Sequence, residues 1–481
     1  MTALEGITEV SPYCWEIPAT GAMRVPGRVF ADRNFIEKAR AEKALEQVMN
    51  VACLPGIVEA SLAMPDIHWG YGFAIGGVAA FDCEEGIISP GGVGYDIACG
   101  VRLVRSNLNV ADVRDAVPAL VHEFSRNIPA GVGRKGDIRL GHKDLDSLMG
   151  KGVPWAISNG FGWPDDIAVI EDGGVLEGAD PAFISKRARE RGFAHPGTLG
   201  AGNHFIEVQQ VDEIFDPEAA DAFGIFPDQL CIMVHSGSRG LGHQVCTEYV
   251  RLMGGAAARA GIDLPDRQLA CAPIASPEGR EYYAAMACAV NFARVNRQVM
   301  THLLRQSCEY IFSSSAEKLG LGLVYDVSHN VAKFEEHEVE GKKRRLCVHR
   351  KGATRSFPAG HPDVPERYRG VGQPVIVPGD MGTASYLCKG TARAMSESFG
   401  STCHGAGRVM GRRAAKKMIR GDELKRELES RGITIRAGRT STLAEEAPAV
   451  YKDIDEVVEI CHRAGLSSKV ARLKPLGVIK G

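Results

Sequence analysis

Apolar positions along this chain follow two rhythms. Between residues 35 and 50, Ala41, Leu45, Val48 and Met49 recur at helical spacing, which predicts a helix that Pro55-Gly56 would end. From Gly70 to Asn107 the pattern shortens into β-rich runs broken by glycine: Phe73-Ala-Ile75, Gly77 to Phe81, Gly86 to Ser89 and Val101 to Val104. Runs of the same kind predict strands over 205–208, 229–234, 322–327, 345–348 and 374–377. Helical spacing returns in a long stretch over about 278–311, then over about 392–399, 407–419, 422–430 and 454–463, with Gly465 as a C′ stop.

Strands and helices are interspersed, and no linker rich in Pro, Ser or Gly separates independent halves. No internal repeat or low-complexity tract is evident. The expectation is an α+β fold of mixed sheets with surrounding helices. Length alone suggests about three domains. The candidate chemistry runs from Asp96 to His404, however, which argues for one interleaved catalytic domain over residues 1–481.

Composition removes several classes. The net charge of −2 offers no global basic field, so any polyanion site must be a local cluster. No uninterrupted apolar stretch is long enough to cross a membrane. The N-terminus has neither a basic n-region nor an apolar h-region, and the 13 cysteines are scattered without a Cys-x-x-Cys pair. That usage predicts a reduced, cytoplasmic protein.

Against this background a few polar residues stand in Gly-rich punctuation. Asp96 and Cys99 lie in Ser89-Pro-Gly-Gly-Val-Gly-Tyr-Asp96-Ile-Ala-Cys99-Gly100, and Asn203-His204 in Gly200-Ala-Gly-Asn203-His204-Phe-Ile-Glu207. His235 precedes Ser-Gly-Ser-Arg239, and His329-Asn330 follows Val327-Ser. Asp96, His235 and His329 are expected just after β-rich runs, and His204 at the start of one. One carboxylate, one thiolate and three imidazoles suit a transition metal such as Mn, Fe, Co, Ni or Zn rather than Ca or Mg. A thiolate can bridge two ions. Each residue alone is more ordinarily a satisfied core side chain; it is the set that points to metal.

His404 sits in Cys403-His404-Gly405-Ala406-Gly407-Arg408. Glycines after a histidine let backbone N–H groups approach a phosphate, and Arg408 can neutralise it. An imidazole so placed can be a nucleophile towards phosphorus, a general base or another metal ligand, and spacing leaves all three open. There is no Gly-x₄-Gly-Lys-[Ser/Thr] P-loop and no Lys-x-Asp-Gly motif. Gly131-Val-Gly133-Arg-Lys-Gly136 matches a dinucleotide pattern formally, but no clear strand precedes it, so it is expected to be a flexible basic loop. Basic charge concentrates over Gly341–Arg355, where Lys342 to Arg345 reads as a hairpin tip. A second concentration comprises Arg408, Arg412, Arg413, Lys416 and Lys417, expected on one helix after His404.

At these residues the chain resembles the RtcB-type GTP-dependent RNA ligases, which join 3′-phosphate to 5′-hydroxyl RNA ends. The resemblance runs from Met64-Pro-Asp-Ile-His68-Trp-Gly-Tyr-Gly through the Asp96–Cys99 segment to Lys480. It implies two manganese ions bridged by Cys99, one held also by Asp96 and His204, the other by His235 and His329. It implies that His404 takes GMP from GTP. Asn203, His204, Phe205, Ile206, Glu207, His329, Asn330, Pro378, Gly379, Asp380, Met381, Ser385, His404, Gly405, Ala406, Gly407 and Lys480 fall where that family binds the guanylate. Arg239, Arg408 and Arg412 are candidate clamps on RNA phosphates, from charge and adjacency. The implied substrates are RNA ends bearing a 2′,3′-cyclic phosphate or 3′-phosphate and a 5′-hydroxyl; the sequence leaves open a requirement for archease as an activating partner.

Two positions depart from the family pattern. Ala98 stands where relatives often carry Asn, and Asp380 where some carry a small hydroxyl residue. The competing expectations are a metal phosphohydrolase using the same residues and a non-catalytic RNA-binding protein.

Overall fold

The computed structural model describes residues 6–39 and 43–481. Two large sheets dominate it. The first has seven strands, in the order Thr8–Ser11, Cys14–Ile17, Gly27–Phe30, Ser61–His68, Ile75–Asp82, Lys342–Lys351 and Asn330–Val339. The second has eight. Seven run in the order Leu323–Ser328, Gly100–Asn109, Gln229–Ser236, Phe205–Ile214, Ser467–Lys480, Ser385–Gly390 and Pro374–Val377, and Thr434–Ala437 pairs in parallel with Ser467–Lys480. The α+β expectation holds.

The helix Pro277–Phe312 is 36 residues long, close to the predicted span. Pro277 occupies its first turn and the Ser276 hydroxyl caps the Gly279 N–H at 3.0 Å, which is why it starts where it does. It packs beside Arg239–Arg259, a helix the apolar pattern did not reveal. Apolar side chains gather in three clusters. One joins the eight-stranded sheet to Val117–Asn127, one surrounds the long helix, and one packs the seven-stranded sheet on Ala44–Val51 and Ile454–Arg463.

Several expectations need correction. The helix expected near 35–50 is two, Arg33–Ala39 and Ala44–Val51, and Ala41 lies outside the described residues. The helix expected over 407–419 begins only at Arg412, because Gly407 at φ 73° and a backbone bridge from Arg408 to Tyr451 hold the preceding residues in an irregular loop. Gly465, at φ 74°, does end the helix Ile454–Arg463. The segment 131–136 is a loop, tied by the Gly131 N–H to Gly200 O at 2.7 Å and the Gly136 N–H to Ala194 O at 2.8 Å.

The basic stretch Gly341–Arg355 divides. Lys342 and Lys343 are exposed beside a hairpin turn at Glu340-Gly341, as expected. Arg350 and Arg355 are fully buried. Arg350 makes a two-pronged pair with Glu335 at 2.7 and 2.8 Å, and Arg355 meets Glu171 and Asp172. No described helix is long and apolar enough to cross a membrane.

Candidate metal and nucleotide site

Antiparallel pairing assembles the site along one edge of the eight-stranded sheet. Alternate strands begin and end there: Gly100 pairs with both Ser328 and Ser236, and Phe205 with both His235 and Lys480. His329 therefore follows one strand, Cys99 precedes the next, His235 is the penultimate residue of the third rather than lying just after it, and His204 precedes the fourth. Asp96 is not just after a strand, as the apolar runs suggested. It sits in the turn leading into Gly100–Asn109.

The five donors converge. Cys99 Sγ lies 3.4 Å from His204 Nε2 and 3.2 Å from His235 Nε2. His204 Nε2 is 2.7 Å from Asp96 Oδ2, and His235 Nε2 is 3.3 Å from His329 Nε2. Two triads result, Asp96–Cys99–His204 and Cys99–His235–His329, each with donor atoms within 4.8 Å of one another and Cys99 shared. The His204 Nδ1–H donates to Leu199 O at 3.0 Å, so its Nε2 lone pair points at the cluster.

The electrostatics suit a cation. Burial, with the neighbouring imidazoles, holds His235 and His329 well below the ordinary histidine range, so both are neutral donors. Burial alone would raise the Asp96 carboxyl, but His204 and Arg239 outweigh it and the net shift is downward. Burial and Asp96 push the Cys99 thiol well above its usual value. A divalent ion reverses that balance and makes Cys99 a thiolate. The O, S, N₃ donor set fits transition metals.

Arg297 on the long helix holds this edge together. Its guanidinium donates to Ala98 O at 2.8 Å and Ser236 O at 2.9 Å, and pairs with buried Asp326 at 2.7 Å. Ala98 itself adopts φ 52°, a left-handed conformation that Asn tolerates better than Ala, which gives a backbone reason for Asn at this position. Gly237 is needed nearby, since a Cβ there would stand 2.4 Å from Asp96 Oδ1.

A cavity of about 500 Å³ opens over the cluster. Its wall includes Asp96, Cys99, Asn203, Phe205, His235, His329, Asn330, Pro378, Gly379, Asp380, Met381, His404, Gly405, Ala406, Gly407, Arg408, Arg412 and Lys480. His204, Ile206, Glu207 and Ser385 lie behind that wall. Ile206 is in the apolar core, and Gln209 Nε2 links Glu207 Oε2 at 2.8 Å to Ser385 Oγ at 3.1 Å. Burial raises the Glu207 carboxyl to about 8, opposed by Gln209 and Lys480. Asp380 spends both oxygens on its own turn, accepting from the Gly382 N–H and the Thr383 hydroxyl, each at 2.8 Å. Arg239 lies in an adjoining recess with His204, Asn203 and Arg412. Arg408 and Arg412 both meet the buried Glu446, at 3.1 and 3.0 Å.

His404 follows the short strand Ser401–Cys403, which pairs with Ala353–Arg355 in a separate two-stranded sheet. Its Nδ1 is 2.5 Å from Asp66 Oδ2, and the same oxygen accepts the His404 and Gly405 backbone N–H groups at 2.9 and 3.3 Å. Asp66 is fully buried in the strand Ser61–His68. The Nδ1 proton is thereby fixed, leaving Nε2 available, with the ring centroid 5.0 Å from that of His329. Asp66 was given no role from the sequence, although it lies in Met64-Pro-Asp-Ile-His68. Lys351 was also missed. Its buried ammonium lines the cavity, bonds the carbonyls of Tyr71 and Phe73, and is pushed down by burial to about 7. In the sequence it was indistinguishable from the surface charges around it.

Comparison with known proteins agrees with this arrangement. Residues 47–481 match the family described as tRNA-splicing ligase RtcB. A tRNA-splicing ligase RtcB of Thermococcus kodakarensis is 54% identical, with both chains covered completely. Those of Archaeoglobus fulgidus and Methanococcus maripaludis are 53% and 52% identical, each over 99% of this chain and at least 99% of the relative. With an identity of this order over the whole length and a shared-cysteine donor cluster beside an aspartate-held histidine, the chain belongs to the tRNA-splicing ligase RtcB family.

Proposed function

We propose that this protein joins RNA ends bearing a 2′,3′-cyclic phosphate or 3′-phosphate to 5′-hydroxyl ends, using GTP and two manganese ions, with His404 as the guanylate carrier. The observation that carries this reading is the Asp66–His404 pair, which presents an imidazole nitrogen to a cavity that Asp96, Cys99, His235 and His329 also line. Asp96, Cys99 and His204 would hold one ion, and Cys99, His235 and His329 the other. The ions supply Lewis-acid stabilisation of charge on the phosphoryl oxygens.

His404 Nε2 attacks the α-phosphorus of GTP; a P–N bond forms, the bond to the bridging oxygen breaks and pyrophosphate leaves. The ring becomes cationic, and Asp66 stabilises the charge through Nδ1–H while fixing the ring orientation. Water opens a cyclic phosphate to a 3′-phosphate. An oxygen of that phosphate then attacks the same α-phosphorus, the P–N bond breaks and His404 returns to neutrality. The 5′-hydroxyl of the second RNA attacks the activated 3′-phosphorus, loses its proton, and GMP leaves. Arg239, Arg408 and Arg412 contribute positive charge along the path of the RNA backbone.

Incubation with α-labelled GTP and Mn²⁺ tests the reading. Label is expected to stay on the protein, to be acid-labile and to be lost in His404→Ala; Asp66→Asn should slow labelling on the order of 10²-fold or more. Intact protein without label overturns the proposal. Free GMP or GDP without an adduct would indicate a phosphohydrolase, and neither product a non-catalytic RNA-binding protein.

A further inference from the structure

Trp69 is 61% exposed at the mouth of the cavity, although Ile67 and Phe73 on either side are almost completely buried. An indole so exposed ordinarily belongs to a loose loop, but this turn is pinned. The buried Gln47 amide donates to Gly70 O at 2.7 Å and Gly72 O at 3.0 Å, and accepts the Gly70 N–H at 3.0 Å. Gln268 Oε1 accepts the Gly72 N–H at 2.9 Å, and Lys351 Nζ holds the carbonyls of Tyr71 and Phe73. Side chains from three distant segments thus hold one turn in place.

The pinned turn begins an aromatic rim. Tyr71 meets Tyr95 edge to face at 5.4 Å between centroids, and Tyr95 lies 5.0 Å from the His243 ring. Trp69, Tyr71 and Tyr95 border the cavity over the donor cluster, and Tyr95 and His243 border the recess that contains Arg239. The rim therefore joins the two openings that carry the cations.

The geometry points to this rim, with Trp69 at its outer end, as a stacking platform for the bases of the RNA strand whose terminal phosphate enters the cavity. The inference rests on the RNA-ligase reading and names how the same site holds its polymer. A phosphate on the cluster would lead the rest of its strand along the wall of this cavity, where Trp69, Tyr71 and Tyr95 offer aromatic faces. Stacking is tolerant of base identity because every base has a π face, so this platform suits a ligase acting on varied ends. The cations lining the same cavity favour a nucleic acid over a second protein as its occupant.

The full-length protein carries its own probe. Trp15 and Trp155 are buried and Trp163 is half-buried under Arg305, so Trp69 is the most exposed of the four tryptophans. A short single-stranded RNA ending in a 3′-phosphate should quench tryptophan emission in the Mn²⁺-loaded protein, and Trp69→Phe should abolish that quench. Trp69→Ala and Trp69→Leu should each weaken RNA binding by about 5- to 100-fold, while Trp69→Phe and Trp69→Tyr stay within a few-fold of the parent. RNA affinities are normalised to the fraction of each variant that takes up guanylate label, which separates misfolding from lost stacking. Parent-like RNA affinity in Trp69→Ala overturns the platform, as does recovery of affinity by Leu. Self-association that Trp69→Ala abolishes, without any quench by RNA, would assign the rim to a protein contact instead. Loss of guanylate labelling in the parent would sink the ligase reading; the quench would still test the platform.

Discussion

Two buried polar clusters invite comparison. In one, Glu171 and Asp172 are surrounded by Arg294, Lys333 and Arg355, at 2.6 to 3.6 Å between opposite charges. In the other, Asp96, Cys99, His204, His235 and His329 bring acceptor atoms together, including two imidazole nitrogens 3.3 Å apart. The first cluster pairs opposite charges among its own members, although Arg294 Nε and Nη1 lack a hydrogen-bond partner. The second places lone pairs against lone pairs beside an open cavity, which is stable only if a cation or protons occupy the space between them. Charge compensation thus separates a structural cluster from a site better than burial does.

The largest expected effects fall on opposite sides of that comparison. Cys99→Ala should abolish guanylate labelling while the metal-free protein melts no earlier than the parent, because removing the shared thiol relieves crowding. Glu171→Ala should instead lower stability by about 3–5 kcal/mol in a denaturant titration, since it leaves buried cations underpaired. Unchanged labelling in Cys99→Ala would refute the two-triad assignment, and a Glu171→Ala protein as stable as the parent would erase the distinction.

Arg297 reaches towards both kinds of chemistry, since it pairs with Asp326 yet holds the carbonyls of Ala98 and Ser236. Arg297→Lys keeps the charge and loses the fork. Mn²⁺ affinity measured by calorimetry should fall about 10- to 100-fold, as is usual when the support of metal ligands is removed. An affinity equal to the parent's would leave Arg297 a structural partner of Asp326 alone.

A further effect, read through pH rather than by removing a partner, concerns Glu207, whose carboxyl is raised from 4.5 to about 8 by burial. Between those values the folded protein keeps a proton that the unfolded chain has lost, so its contribution to stability is undiminished below about pH 4.5. That contribution declines as pH rises towards 8. Glu207→Gln should flatten melting temperature against pH across this window and be the more stable form at pH 8. Parallel pH profiles for parent and variant would show that Glu207 is ionised in the fold.

The long helix and most strands were legible because their apolar periodicity is local. Arg239–Arg259 escaped detection because Gly240, Gly242, Gly254 and Gly255 interrupt its pattern. Ser467–Lys480 escaped because Pro475 and Gly477 sit at irregularities in its pairing. The cations on either side of Cys347 showed the same limit. Lys343 and Arg350 look alike in sequence, yet one is on a hairpin and the other is buried against Glu335.

The sequence by itself determined the donor inventory, since only certain residue types bind transition metals, and it marked all but His329 by nearby glycines that let backbone come close. The family resemblance already implied a shared Cys99; the tertiary structure alone decided that Asp66 orients His404 and that Trp69 is held open at the mouth. Those are relations between segments up to 338 residues apart. Antiparallel pairing brings the metal donors to one end of the eight-stranded sheet, other sheets bring Asp66 and His404 to them, and no local pattern along the chain encodes a distance between strands.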